Sequence, residues 1–371
     1  MAFSPIYLDY AATTPPAPEV IEAVANSMRT HTANPSAAYS AAGDARKALR
    51  LARETLSKMI GCDRNELFFT SGGTESNNWA FCCLTDRHVV LSAIEHSSVL
   101  EAAKRYGCRI TLVKPDENGV IQPESIQRAI QPDTTMISIQ FANNETGVLQ
   151  PIAQIGAIAR QHRILFHCDA VQAVGHVPVN VRELSVDLLS ASAHKLYGPR
   201  GIGFLYIRSG VQLPPLFAGG GQENNRRSGT ENVPAIEGFR VAAELAMDDM
   251  LSRAEHERAL LAYLFERLQA SIPEARLLGA AVKRTPGVCA ILLPGLSSET
   301  AIARLDLRSI MVSGGAACAA SSGAPSHVYT AMGLNDKDAS CVLRFSAGRH
   351  TTMEDIATVA EELIRIYQAY A

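Results

Sequence analysis

The chain of 371 residues predicts an α/β fold, with a large domain around a mostly parallel seven-stranded sheet and a smaller α+β C-terminal domain. Two observations carry this. Between about residue 16 and residue 210, short apolar runs alternate with helical patterns. Several of these runs are almost continuous in Val, Ile, Leu and Phe, the pattern of parallel strands covered on both faces. The seven runs fall at 67–69, 88–91, 110–113, 136–139, 164–167, 186–189 and 202–206. Most are separated by helical segments such as 44–60, 123–130 and 152–162. In the first of these, Ala45, Leu49, Ala52, Leu56 and Met59 repeat at the spacing of one buried face. Strand, helix, strand in this order implies right-handed crossovers. After residue 232 the texture changes to two long helical patterns, 233–250 and 254–271, and strand-like runs at 288–292 and 342–345. A last helix repeats Ile356, Val359, Ala360, Leu363, Ile364 and Tyr367, and Thr351-x-x-Glu354 reads as its capping box. We expect residues 15–255 to form the large domain, and residues 1–14 with 256–371 the small one.

Composition narrows the function. With 34 basic and 37 acidic side chains the formal charge is −3, and no basic run appears, so neither nucleic acid nor a membrane surface is expected as a partner. Hydrophobic residues at 47% and charged residues at 19% exclude wholesale disorder. No apolar stretch is long enough to span a bilayer, and the first residues lack a signal-peptide pattern. Eight cysteines without a C-x-x-C pair are too sparse for a disulfide scaffold or a structural zinc site. We therefore expect a cytoplasmic chain with reduced thiols.

In a parallel sheet, ligands bind beyond the carboxyl ends of the strands. Ser71-Gly72-Gly73-Thr74 stands there, between a strand and a helix expected to begin near Thr74. Free backbone N–H groups at a helix start can cradle a phosphate, and a plain turn with an N-cap fits the same residues. Neither a P-loop nor a dinucleotide glycine fingerprint occurs, which disfavours a nicotinamide dehydrogenase. Asp169 closes another strand-like run, where a carboxylate is commonly a solvated cap. Lys195 ends a third, preceded by Ser192 and His194. A strand-end lysine is more often a surface charge than a catalyst. Together, however, a lysine for a Schiff base, an acid for a pyridine nitrogen and donors for a phosphate are what pyridoxal 5′-phosphate requires.

SGGTESNN at 71–78, Glu95-His96, NNETG at 143–147, DAVQ at 169–172, SAHK at 192–195, GPRGIGFLY at 198–206 and RRSGTENVP at 226–234 resemble the cysteine desulfurases. These NifS/IscS-like proteins belong to the class-V aminotransferase branch of fold-type-I pyridoxal enzymes. The likeness runs from YLDYAATT at 7–14 to the last helix, with the motifs in order. It implies a homodimer with shared active sites, L-cysteine as substrate, and a sulfur-accepting protein such as a scaffold or thiolation enzyme. It also implies roles. Lys195 would form the Schiff base, Asp169 hold the pyridine nitrogen, and Gln172 bond the phenolic oxygen. His96 would stack on the ring and shuttle protons. Gly73, Thr74, Ser192 and His194 would hold the phosphate, with Thr230 added from the second subunit. Asn144 and Arg344 would hold the substrate carboxylate, Arg344 through its two-pronged guanidinium.

The segment that decides the reaction is 312–323, VSGGAACAASSG. Small residues without apolar periodicity predict a mobile loop there, and a cysteine on it, Cys318, stays accessible as a thiolate nucleophile. Cys82, Cys83, Cys168 and Cys289 lie in apolar runs and read as small core residues. The resemblance makes Cys318 the residue that takes sulfur as a persulfide. The chain ends at Ala371, soon after its last helix, so no long scaffold-docking tail is expected. A selenocysteine lyase on the same fold and a non-catalytic sulfur-relay protein are the alternatives.

Overall fold

The computed structural model describes residues 5–315 and 325–370. All seven expected runs form strands of one sheet. Its order is Leu67–Thr70, Gly203–Ile207, Leu188–Ser192, Leu165–Asp169, Thr134–Ser138, His88–Ser92, Arg109–Val113. Only Gly203–Ile207 runs against the others, pairing antiparallel with both neighbours. Helices Gly43–Ile60, Pro123–Ala129 and Ile152–His162 form where the periodicity places them. Strand ends differ by one to three residues, the run at 186–189 being the most displaced, as Leu188–Ser192.

Toward the C-terminus a three-stranded antiparallel sheet is ordered Val342–Ser346, Val288–Leu292, Arg276–Leu277. A separate apolar cluster joins it to Leu8, Leu260, Leu264, Ile356 and Leu363. The chain start reaches this region because Ile6–Tyr7 pairs in parallel with Ile310–Met311. That pairing delivers Asp9 beside Ser346 and Ala11–Ala12 to the edge of the large sheet.

Three expectations need correction. The patterns at 233–250 and 254–271 are one continuous helix, Val233–Ser271. Nothing in Leu251-Ser252-Arg253-Ala254 breaks a helix. The apparent gap arises because the helix changes what it packs against. Its first half buries Ile236, Phe239 and Ala243 in the core of the large sheet. Its second half buries Leu260, Leu264 and Leu268 in the other cluster, and between them the buried positions are Arg253 and Glu257. The last helix, Met353–Tyr370, is capped one residue later than expected. Thr352 and Asp355 exchange the reciprocal bonds, because the hydroxyl of Thr351 instead accepts from the Gly348 N–H. Finally, Cys83 is exposed rather than part of the core, since its helix ends at Phe81 and the following turn lies at the surface. Cys168 and Cys289 are buried as expected. Among the described residues, no helix is long and apolar enough to cross a membrane.

Candidate active site

Two parallel neighbours, Leu165–Asp169 and Leu188–Ser192, are in register with Asp169 opposite Ser190. Their carboxyl ends therefore open on the same edge. Asp169 is the last residue of the first, and the short turn Ala193–Lys195 follows the second. The helix Gly73–Phe81 starts at that edge too. These ends, with Ala11, Ala12, His96 and Arg344, enclose a cavity of about 270 Å³.

At its base, Asp169 is only 5% exposed. One carboxylate oxygen accepts from Asn77 Nδ2 at 2.7 Å and the other from the Val171 N–H at 3.0 Å. Asn77 Nδ2 also reaches Ser98 Oγ at 2.8 Å, while Asn77 Oδ1 is buried without a partner. His96 caps the helix Ser97–Arg105, its Nδ1 accepting from the Ser98 N–H at 3.1 Å. That bond leaves the ring proton on Nε2. Burial, opposed by Asp169 and aided by the Lys195 cation, holds His96 below its ordinary range, so the imidazole is neutral.

Lys195 Nζ donates to the carbonyls of Ala11 at 2.6 Å and Ala12 at 2.8 Å. Gln172 Nε2 donates to the same Ala11 carbonyl at 2.8 Å. The N-terminal segment is thus the resting place of the lysine.

One end of the cavity is shaped for an anion. Gly72 has φ 150°, a conformation that disfavours a side chain, and a Cβ on Gly73 would stand 2.7 Å from Val171 Cγ2. Glycine lets the helix start close on the turn after Asp169. The first N–H groups of this helix have no intrahelical partners, and Gly73 and Thr74 line the cavity. Ser192 and His194 face the same space. Burial, with Lys195 and Arg200 nearby, pushes His194 down to about 4, so it offers a neutral N–H. Arg344, which also lines the cavity, is 2% exposed. It donates to Asp9 Oδ1 at 2.6 Å and to the Asn144 carbonyl at 2.9 Å, and its Nε is buried with no hydrogen bond.

Ten of the residues singled out from sequence therefore line one cavity: Gly73, Thr74, His96, Asn144, Asp169, Gln172, Ser192, His194, Lys195 and Arg344. Thr230 does not. It is exposed on the turn after Arg227, which bonds Glu75 at 2.9 Å. Cys318 lies outside the described residues. Sequence reasoning gave no role to Asp9, Asn77 or Ser98. The first two sit inside the quoted motifs YLDYAATT and SGGTESNN, so the signal was present without a partner to explain it.

The profile of the class-V aminotransferases matches residues 6–359. A cysteine desulfurase IscS from Clostridium botulinum is 41% identical over 97% of this chain and 94% of its own length. A NifS-like protein of known structure superposes with a TM-score of 0.91 at 32% identity, covering 99% of this chain and all of the other. A structure described as SspA in complex with cysteine superposes at 0.82 with 34% identity, covering 94% of this chain and all of SspA. With a family match across nearly the whole chain and relatives this similar, the protein belongs to the class-V aminotransferase family, among its cysteine desulfurases.

Proposed function

We propose that the chain converts L-cysteine to L-alanine and passes the sulfur to Cys318 as a persulfide, using pyridoxal phosphate held by the cavity described above. Membership of the family implies that cofactor. The observation that carries the reading is the donor set: a buried aspartate at one strand end, a lysine at the next, and a glycine-lined helix start between them. The unpartnered Asn77 Oδ1 and Arg344 Nε are buried polar atoms waiting for a ligand. SspA, the relative with cysteine bound, supports the choice of substrate.

Bound pyridoxal phosphate supplies a protonated ring that takes up the electron pair released at the substrate Cα. Asp169, fixed by Asn77 and Val171, holds a proton on the ring nitrogen. Lys195 Nζ would leave the carbonyls of Ala11 and Ala12 to hold the cofactor, and as a free amine it would remove the Cα proton. His96, neutral with its proton on Nε2, lines the cavity where it would pack on the ring and could move a proton. The N–H groups of the helix start, with Ser192 and His194, would meet the phosphate charge. Cys318 Sγ then takes the substrate sulfur. An S–S bond forms, the Cβ–S bond breaks with its pair on carbon, and a proton added at Cβ, with return of the Cα proton from Lys195, completes alanine. An acceptor protein removes the persulfide sulfur.

The direct test loads the purified protein with pyridoxal phosphate, adds L-cysteine, and measures alanine with protein-bound sulfane sulfur. Cofactor binding without alanine would reject the reading. Arg344 is held on two sides with its Nε still available, the geometry for gripping a carboxylate. Arg344→Lys should therefore raise KM for L-cysteine about 10- to 100-fold, the worth of a charged hydrogen bond, with the cofactor absorption unchanged. An unaltered KM would place the carboxylate elsewhere.

Thr230 is exposed and lines no part of its own chain's cavity, which supports a second copy as the recipient of its hydroxyl. Thr230→Val should weaken pyridoxal phosphate binding about 10-fold, measured by cofactor titration, because one bond to a charged group is lost. Unchanged affinity would argue against the shared site.

A further inference from the structure

His176 and Arg253 have no part in the chemistry above, yet His176 touches the turn that carries Lys195 and Arg253 touches His176. His176 Nε2 lies 2.8 Å from the backbone carbonyl of Lys195. Its other nitrogen, Nδ1, lies 3.3 Å from Nη1 of Arg253. A guanidinium can only donate, so Nδ1 accepts and the ring proton sits on Nε2, where the Lys195 carbonyl receives it. Burial and the neighbouring Arg253 cation push His176 down to about 4, which keeps this tautomer throughout the neutral range.

Arg253 is itself fixed from the long helix. It is buried, donates to the Gly175 carbonyl, and reaches Asp249 Oδ1 at 3.2 Å. Asp249 also accepts from Arg349 Nε at 3.0 Å. The guanidinium carbons of Arg253 and Arg349 stand 5.8 and 4.8 Å from the ring centre of Tyr197, two residues beyond Lys195. The Tyr197 hydroxyl accepts from the Arg349 N–H at 2.7 Å. Neither His176 nor Arg253 lines the cavity.

We infer that His176 is a positioning residue for Lys195: oriented by Arg253, it fixes the Lys195 carbonyl and so the direction in which Nζ leaves the backbone. The need is physical. A lysine side chain has four rotatable bonds, and Nζ must serve both the resting carbonyls and the reacting Cα. Only a fixed backbone lets so flexible a chain deliver its amine to one place, and a misplacement of about 1 Å is worth about 10²-fold in rate. The inference rests on Lys195 being the cofactor lysine of a desulfurase.

The test compares His176→Phe, which keeps a ring without a donor, with His176→Gln, which keeps a donor near the Nε2 position. Both are assayed in the cofactor-loaded full chain for kcat and KM on L-cysteine. The pH titration of the bound cofactor's visible absorption and the melting temperature are recorded alongside. For His176→Phe, kcat should fall about 10-fold or more with KM within about 2-fold, and the titration midpoint should shift. His176→Gln should recover to within about 3-fold of the parent, with the parent's midpoint. Parental kcat and midpoint in His176→Phe would overturn the inference. So would equal loss in both variants at parental melting temperature, which marks packing and not the donor. Should the parent itself make no alanine, the desulfurase reading fails. The absorption titration of the two variants then still decides the positioning role.

Discussion

Lys195→Ala is expected to lower alanine formation from L-cysteine by about 10³-fold or more, since both the anchoring amine and the proton acceptor at Cα are lost. The same change should remove the absorption that arises from the cofactor's link to the lysine, while the rest of the cavity stays intact. Gly73, Thr74, Ser192 and His194 do not depend on Nζ for their positions. The turn itself is held by other bonds: the Thr14 hydroxyl donates to the His194 carbonyl at 2.9 Å, and the Tyr197 N–H donates to Thr14 Oγ1 at 2.7 Å. Folding should therefore survive, and cofactor should still bind reversibly. The check is alanine release together with absorption and mass spectrometry after borohydride reduction, which in the parent should place the cofactor mass on the peptide holding Lys195. Finding that mass on another lysine would defeat the assignment.

How the site was legible differs from residue to residue. Asp169 and Lys195 sit at strand ends, and a strand end is a local pattern of apolar residues followed by polar ones. Such positions are readable in one dimension. The Asp9–Arg344 pair is not, because it depends on Ile6–Tyr7 adding to Ile310–Met311 across most of the chain. Pairing of a two-residue strand with a distant two-residue strand leaves no periodic signal. His176 escaped for a related reason. Its partners are a backbone carbonyl and an arginine 77 positions away, neither of which a motif encodes. The long helix departs from its sequence pattern in the opposite sense. Periodicity reports which face is buried, and Val233–Ser271 changes its buried surroundings midway without ending. Arg253 and Glu257, charged yet buried, occupy that midpoint. A charged gap in an apolar stripe looks like a linker in sequence and is here a buried polar junction.

Cys318→Ser should abolish persulfide formation and lower alanine release by about 10³-fold, about 4 kcal/mol of lost barrier reduction. It should leave the cofactor absorption and its change on adding L-cysteine intact, because Lys195, Asp169 and Arg344 are untouched. Cys318 lies outside the described residues, and most of the described thiols are poor competitors for its role. Burial pushes Cys62 and Cys289 up to about 12 and Cys108 to about 11, and it raises Cys168 well above the ordinary thiol value. Those sulfurs stay protonated at neutral pH and make poor nucleophiles. Cys83 is the exception. It is exposed, and its coupling to the adjacent Cys82 thiol lowers it. Reactivity alone would nominate Cys83 as readily as Cys318, so geometry must decide. Cys83 follows the C-terminal end of the nine-residue helix whose first turn borders the cavity, and it lines no part of that cavity. Nine residues of helix put about 13 Å between the two ends, far beyond the contact that an attack on substrate sulfur requires. Ser313 and Ser326, by contrast, flank the segment with Cys318 and are tied to the site. Ser313 pairs with Arg344 across a β-bridge, and the Ser326 hydroxyl donates to Glu145, next to Asn144, at 2.6 Å. Cys83→Ser should consequently keep parental alanine release and persulfide yield. The decisive measurement is peptide mapping of the persulfide within one turnover in the parent and both variants. A persulfide that forms first on Cys83, or full turnover in Cys318→Ser, would remove Cys318 from the mechanism.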